Sequence, residues 1–136
     1  MRVVFDTNIF VSAFAIPGSL AEGAILKIVE GEDILLLSKD ILDGLLSVLS
    51  VKFSRDREEI SRVAFFLSEI AQWVKPTGRI GVLKDGPDNR ILECAAEGKA
   101  DLVVTGDKEM LKLGMHRGAK IIGLNTYLRE GHPGTQ

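Results

Sequence analysis

The feature that most constrains this chain is an apolar run that ends abruptly on an acid, and it occurs twice. Val3-Val4-Phe5 stops at Asp6, and Leu102-Val103-Val104-Thr105-Gly106 runs into Asp107. Short apolar runs without alternation fit strands buried on both faces of a parallel sheet. An acid after such a strand sits at the carboxyl edge of the sheet, where open α/β folds bind their ligands. Two strand-end acids in a chain of 136 residues suggest one shared site.

The segments between these runs supply the helices. Asn8 to Ala15 is apolar with Ser12 inside it and predicts a short helix. Ile16-Pro17-Gly18-Ser19 is a turn signal, with Ser19 placed to cap a helix through Val29, which Gly31 ends. Ile34-Leu35-Leu36-Leu37 predicts a second buried strand, and Ser38 would cap the helix after it. That helix carries Ile41, Leu42, Leu45, Leu46 and Leu49 at amphipathic spacing. After the polar break Ser54-Arg55-Asp56-Arg57, a long helix presents Ile60, Val63, Ala64, Leu67, Ile70 and Ala71. Trp73-Val74-Lys75-Pro76 leads into a short strand or an extended loop.

Gly86-Pro87-Asp88-Asn89 opens another helix: proline fits its first turn and acids favour its positive end. Ile91, Leu92, Ala95 and Ala96 form its buried face, and Gly98 stops it. A helix with Met110, Leu111 and Leu113 follows Asp107, and Lys120-Ile121-Ile122-Gly123-Leu124 is expected as the last strand. Arg129 to Gln136 reads as a frayed polar tail. Strands alternating with helices predict α/β class: a three-layer α/β/α sandwich around a mainly parallel sheet, residues 1–136 forming one domain.

Composition narrows the function classes. A net charge of −2 argues against a surface coated in positive charge for nucleic acid, but an acidic pocket with a local basic rim is compatible with a nucleic-acid substrate. No stretch has the length and apolarity of a membrane span, and the N-terminus lacks the basic-then-apolar pattern of a secretory signal, so no membrane partner is expected. The single cysteine, Cys94, cannot form an internal disulfide, which suits a reducing cytoplasm.

Asp6, Asp88 and Asp107 are expected to meet at the sheet edge. Like charges about 4 Å apart repel by about 4 kcal/mol at an effective dielectric near 20. Without compensation, such a cluster would retain protons above the usual aspartate range. A divalent cation reverses this: hard ions such as Mg²⁺ take oxygen ligands and keep waters, and they promote phosphodiester hydrolysis. Each acid taken alone also reads as a helix cap or turn residue; the three together favour a metal site.

These residues resemble the PIN-domain ribonucleases. Asp6-Thr7-Asn8 with Ser12 is similar to that family's opening motif. Asp85-Gly86-Pro87-Asp88-Asn89, followed by Ile91-Leu92 and Ala95-Ala96, is similar to its central one, and Thr105-Gly106-Asp107 to its closing one. The resemblance covers nearly the whole chain and points to the VapC-like toxin components of toxin–antitoxin pairs. It implies an endoribonuclease that uses Mg²⁺ or Mn²⁺ held by Asp6, Asp88 and Asp107. It further implies an RNA substrate, an antitoxin protein as partner and a homodimer. Asn8, Ser12 and Thr105 would orient acids or waters, or else serve as local caps.

One departure stands out. The family carries a glutamate on the helix after the second strand, and the aligned residue here is Gly44. Asp43 is adjacent, but one helical residue turns a side chain by about 100°. Either the helix shifts to bring Asp43 in, or the site lacks a ligand. A weakened PIN-like module that binds RNA or protein is therefore one alternative. An aspartyl phosphoryl-transfer phosphatase is another, opposed by Asn8 where that scheme expects a second acid.

Other residues carry less. Lys52, Arg55, Arg57 and Arg62 are interrupted by acids and read as a solvated face. Lys108, Lys112, Arg117 and Lys120 are expected nearer the pocket edge. His116 and His132 lack ligand spacing, Cys94 lies on an apolar stripe, and Phe65, Phe66 and Trp73 are expected in the core or in subunit contacts.

Overall fold

Residues 1–130 are described in a computed structural model of the chain. The elements are β1 (Arg2–Phe5), α1 (Thr7–Ala15), α2 (Ala21–Val29), β2 (Ile34–Leu37), α3 (Lys39–Val51), α4 (Arg57–Ile70) and β3 (Ala71–Trp73), followed by α5 (Gly86–Glu97), β4 (Leu102–Val104), α6 (Lys108–Leu113), β5 (Met115–His116), β6 (Ala119–Ile122) and α7 (Leu124–Glu130). The strands form one sheet in the order β3-β2-β1-β4-β6-β5. Every pairing is parallel except β5 with β6. With helices flanking the sheet, this is the expected α/β/α architecture.

The apolar runs do what their composition requires. Val3, Val4 and Phe5 are fully buried, as are Leu35 to Leu37 and Val103-Val104. β1 lies between β2 and β4, so successive strands are laid outward in opposite directions from it. That arrangement creates a topological switch between β1 and β4, the crevice where open α/β sheets bind ligands. Phe5 pairs with Val104, and the Asp6 amide donates to the Val104 carbonyl at 2.9 Å. The two acid-terminated strands are therefore neighbours in matched register.

Several local expectations change. Ser19 does not cap α2: Leu20 takes that position without a side-chain bond, and the Ser19 hydroxyl donates to the Ser12 carbonyl at 2.8 Å. α4 runs directly into β3, so Ala71 belongs to the strand and no loop intervenes. Gly98 does follow α5, but its backbone is helical and Lys99 takes the left-handed conformation instead. The glycine is required by packing: a Cβ there would lie 2.7 Å from Leu36 Cδ1.

The final segment is richer than one strand and a tail. Met115-His116 and Ala119–Ile122 form a hairpin whose turn residues, Arg117 (φ 47) and Gly118 (φ 88), are both left-handed, the conformation such tight hairpins favour. Leu124 begins α7 rather than ending a strand. Tyr127 on that helix is fully buried, meets the Phe5 ring edge-on at 5.6 Å and donates to Asp33 Oδ2 at 2.7 Å. Burial of a large ring, with a charge-assisted bond worth about 1.5–3 kcal/mol, anchors a helix that reaches into the start of the expected tail at Arg129. The expectation of fraying beyond Glu130 falls outside the described residues.

Residues 74–85 form a strap along α5. Thr77 donates to Glu97, the Ile80 amide to Glu93 Oε2 at 2.7 Å, and the Leu83 amide to Asn89 Oδ1 at 2.9 Å. Asn89 Nδ2 returns a bond to the Leu83 carbonyl at 2.8 Å. Side chains of α5 thus replace the strand ladder that this segment lacks.

Candidate active site

Asp6 leaves β1 nearly buried, at 4% exposure, because the switch crevice closes around it. The fully buried Thr105 hydroxyl donates to Asp6 Oδ2 at 2.6 Å and accepts from the Asp107 amide at 3.0 Å. One small side chain thereby ties both strand-end acids together. Asp107 also caps α6, accepting from the Met110 amide at 3.0 Å. Its structural role as a cap is therefore real, and it leaves Oδ2 free of that duty.

Asp88 enters from the third direction, in the first turn of α5. It is 8% exposed and lies within hydrogen-bond reach of Asp107. Burial, reinforced by the charges of Asp6, Asp107 and Asp85, pushes its pKa up to about 7. Burial also raises Asp6, opposed by the Thr105 hydroxyl and by the backbone amides of Asn8 and Thr7, while Asp107 adds to the rise. The three acids are thus electrostatic neighbours, and Asp85 joins them; proton retention is the expected response of crowded carboxylates with no cation between them.

A cavity of about 500 Å³ opens on the Asp88–Asp107 side of this cluster, lined by Lys84, Asp85, Asp88, Asp107 and Glu109 among others. The available donors are carboxylate oxygens, the hard ligands that Mg²⁺ and Mn²⁺ prefer. Among the described residues, no three His, Cys, Asp or Glu side chains stand close enough to enclose an ion by themselves. The residues therefore fit an ion held by one or two carboxylates with water and substrate oxygens completing its shell, the usual mode for Mg²⁺.

Of the three polar residues expected near the acids, Thr105 makes the direct contact. Asn8 is exposed and contributes its backbone amide, and Ser12 offers its carbonyl to Ser19. The helix does not shift to bring Asp43 in: its carboxylate is 54% exposed and paired with Lys39 at 2.6 Å. Among the described residues, nothing lies within 4 Å of where a Gly44 Cβ would stand, and the residue lines a second cavity of about 410 Å³. Thr7, Asp40, Gly86, Arg79 and Arg90 also line it.

The cationic expectations are redistributed. Lys84 lines the acidic cavity, whereas Arg117 lines a separate one beside Glu93 and Glu97. Lys108 and Lys120 are exposed, and Lys112 pairs with Glu109 at 3.3 Å. Arg55 and Arg62 pair with Glu59 and Glu58, as a solvated face should. Cys94 is fully buried, and burial pushes its thiol up to about 12, the opposite of the lowered pKa that activates a thiol nucleophile. Burial, with the Arg117 charge, lowers the His116 pKa, while His132 lies outside the described residues. Phe66 packs against Phe14 as expected, but Phe65 is 68% and Trp73 45% exposed, so neither belongs to the core.

Arg79, Arg90 and Lys84 were missed because they lie in or against the strap, where the sequence carries no periodicity. Only the proximity of Arg90 to Asp88 in the sequence hinted that it would stand near the site.

Comparison with known proteins supplies the lineage. The chain is 30% identical over 118 residues to the uncharacterized protein MJ1680 of Methanocaldococcus jannaschii, covering 83% of this chain and 75% of that one. It superposes with a TM-score of 0.66 on the crystal structure of VapBC2 from Rickettsia felis bound to a DNA fragment from their promoter. That match covers 90% of this chain and 98% of the other at 16% identity, which establishes likeness of fold. No helix among the described residues is long and apolar enough to cross a membrane. The PIN domain pattern matches residues 2–109, which include all three acids, and the chain belongs to the PIN domain family.

Proposed function

We propose that this protein is an endoribonuclease dependent on Mg²⁺ or Mn²⁺, its ion held by Asp6, Asp88 and Asp107, one or two of them directly and the rest through bound water. The observation that carries this reading is Asp88, buried at the switch crevice against two other acids and holding its proton up to about pH 7. A carboxyl in that state is poised for a cation to displace the proton. Bound Mg²⁺ or Mn²⁺ would supply positive charge against a phosphoryl group and acidify an attacking water.

The chain's own residues do the rest. Thr105 fixes the Asp6 carboxylate by donating to Oδ2, and its oxygen aligns the Asp107 amide. Capping of α6 holds Asp107 through Oδ1, which narrows the conformations its carboxylate can take. β1 and β4 hold two of the acids on rigid, paired backbone, which suits a site that must keep its geometry while substrate enters.

The test is RNA cleavage by purified protein with Mn²⁺, with and without EDTA. Cutting that disappears with EDTA and returns with Mn²⁺ is expected; cutting insensitive to EDTA would remove the metal from the mechanism. A second reading, a weakened PIN-like module that binds RNA or protein, is favoured by the carboxylate-free position at Gly44. Intact RNA with tight RNA or partner binding would select it. The phosphatase reading has no counterpart to its second acid, since Asn8 stands there.

The same reading makes the chain a single cytoplasmic PIN domain, residues 1–136, acting as the toxin of a toxin–antitoxin pair. Support for a protein partner comes from the structural likeness to VapBC2 and from exposed Val51, Phe65 and Trp73. A homodimer is part of this proposal, and light scattering after size-exclusion chromatography should give twice the chain mass.

A further inference from the structure

The second cavity, like the acidic one, borders the start of α5. Gly86 and Pro87 line it, and their chain neighbours Asp85 and Asp88 line the acidic cavity. Asp40 and Gly44, four residues apart on α3, present one helix face to it. Among the described residues nothing lies within 4 Å of where a Gly44 Cβ would stand, and two guanidinium groups, those of Arg79 and Arg90, line the same cavity.

Those groups are not equally committed. Arg90 is held by Glu93 at 2.8 Å and by the Ile80 carbonyl at 3.2 Å, yet its buried Nε has no hydrogen-bond partner among the described residues. Arg79, 67% exposed, reaches Asp40 at 3.4 Å and Glu93 at 3.5 Å through the same nitrogen, Nη1. Strong charge-assisted bonds are about 2.7–2.9 Å, so the Arg79 pairs are loose and exchangeable. The α5 N-terminus adds partial positive charge at Gly86, and its cap residue Asp85 makes no side-chain capping bond.

We propose that the Gly44 cavity is a phosphate-binding subsite, in which Arg79 and Arg90 hold a backbone phosphate of single-stranded RNA next to the phosphate presented to the acids. The inference rests on the ribonuclease reading and extends it to substrate binding. Gly44 matters because its missing side chain leaves room for a nucleotide backbone where a carboxylate would repel it. Arg79 exchanges Asp40 for the phosphate, and Glu93 keeps Arg90 in place from behind.

The experiment is metal-free binding of a short fluorescent single-stranded RNA, in EDTA, read by anisotropy across a salt series. Arg79→Gln should weaken binding about tenfold and reduce the salt slope by roughly 0.7, the loss of one single-strand phosphate contact. Arg79→Lys, which keeps the charge, should recover most of that loss. Gly44→Glu should also weaken binding about tenfold, because the new carboxylate pairs with the arginines. Thermal melts establish that each variant is folded; Arg79 is exposed enough that its replacement should leave the melt unchanged.

Unchanged RNA affinity and salt slope in Arg79→Gln would overturn the subsite. So would Gly44→Glu that tightens Mn²⁺ binding by calorimetry without weakening RNA, since the position would then be a gap in the metal site. An Arg79→Gln variant that loses affinity for an acidic peptide but not for RNA would overturn it too, in favour of a protein contact. Binding that behaves as expected in a wild-type protein that cuts nothing with Mn²⁺ supports the subsite and removes the nuclease reading alone.

Discussion

The two cavities flanking the α5 start are built from the same sheet edge and carry opposite chemistry. The acidic one gathers Asp6 from the end of β1, Asp107 from the turn after β4 where it caps α6, and Asp88 from the first turn of α5. The cavity at Gly44 rests on α3 and on Arg79, which a strap presents from residues 74–85. Sheet pairing and the Thr105 hydroxyl position the acids of the first; for the second, Glu93 holds the strap at Ile80, next to Arg79. The difference teaches where each kind of group belongs. Carboxylates that must stay crowded need a rigid backbone beneath them, while cations that meet a flexible polymer can ride on a looser element.

The largest expected break in the comparison comes from Asp6. Asp6→Asn should lower RNA cleavage in Mn²⁺ by on the order of 10³-fold, measured by single-turnover kinetics, while leaving RNA binding at the Gly44 cavity in place. Equal loss of binding and cutting would mean that the two cavities are one functional unit.

Thr105→Val comes next. It preserves shape but removes the hydroxyl between Asp6 and Asp107, so cutting should fall about 10- to 100-fold. Asp6 and the Asp107 amide would lose a buried partner, and stability should drop by about 1–3 kcal/mol in denaturant unfolding. A fully active variant would show that sheet geometry alone holds the acids.

Asp88 gives a smaller, signed effect. Its folded pKa, about 7, lies above the ordinary 3.8, so between these values the folded chain binds more protons than the unfolded one. Metal-free protein should therefore lose stability as pH rises from about 4 through about 7, and Asp88→Asn should flatten that dependence. Mn²⁺ should stabilise the protein most at the upper end of this window, where displaced protons no longer compete. Thermal melts across pH, with and without Mn²⁺, check the sign.

The smallest effect belongs to Asp43. Asp43→Ala breaks an exposed pair with Lys39, so stability should change by less than about 1 kcal/mol and cleavage should be unchanged. A clear fall in cutting would bring Asp43 back as a substitute for the missing glutamate.

Much of the acidic site was readable in advance because its logic is local. A strand that ends on an acid puts the acid at the sheet edge, and Pro87 with Asp88 marks the start of a helix. The arginine cavity was not readable. Arg79 has no periodic neighbours, and it reaches its place through Glu93 and Asp40, which are 14 and 39 residues away. α7 was hidden for a related reason. Leu124 to Glu130 is a short and mostly polar stretch, and it is held down by Tyr127 against Phe5 and Asp33. The hairpin turn was hidden in Arg117, a residue that rarely adopts a left-handed backbone.

By itself the amino-acid order determined the buried strands, the helix starts, the three acids placed to end or begin them, and the absence of a carboxylate at Gly44. Only the tertiary structure decided that β1 lies beside β4, that Thr105 bridges their acids, and that two arginines face the space Gly44 leaves. Hydrophobic period and capping act within a few residues and so are written along the chain. Strand order and buried hydrogen bonds join residues up to 100 positions apart, and their free energy exists only once the sheet has closed around them.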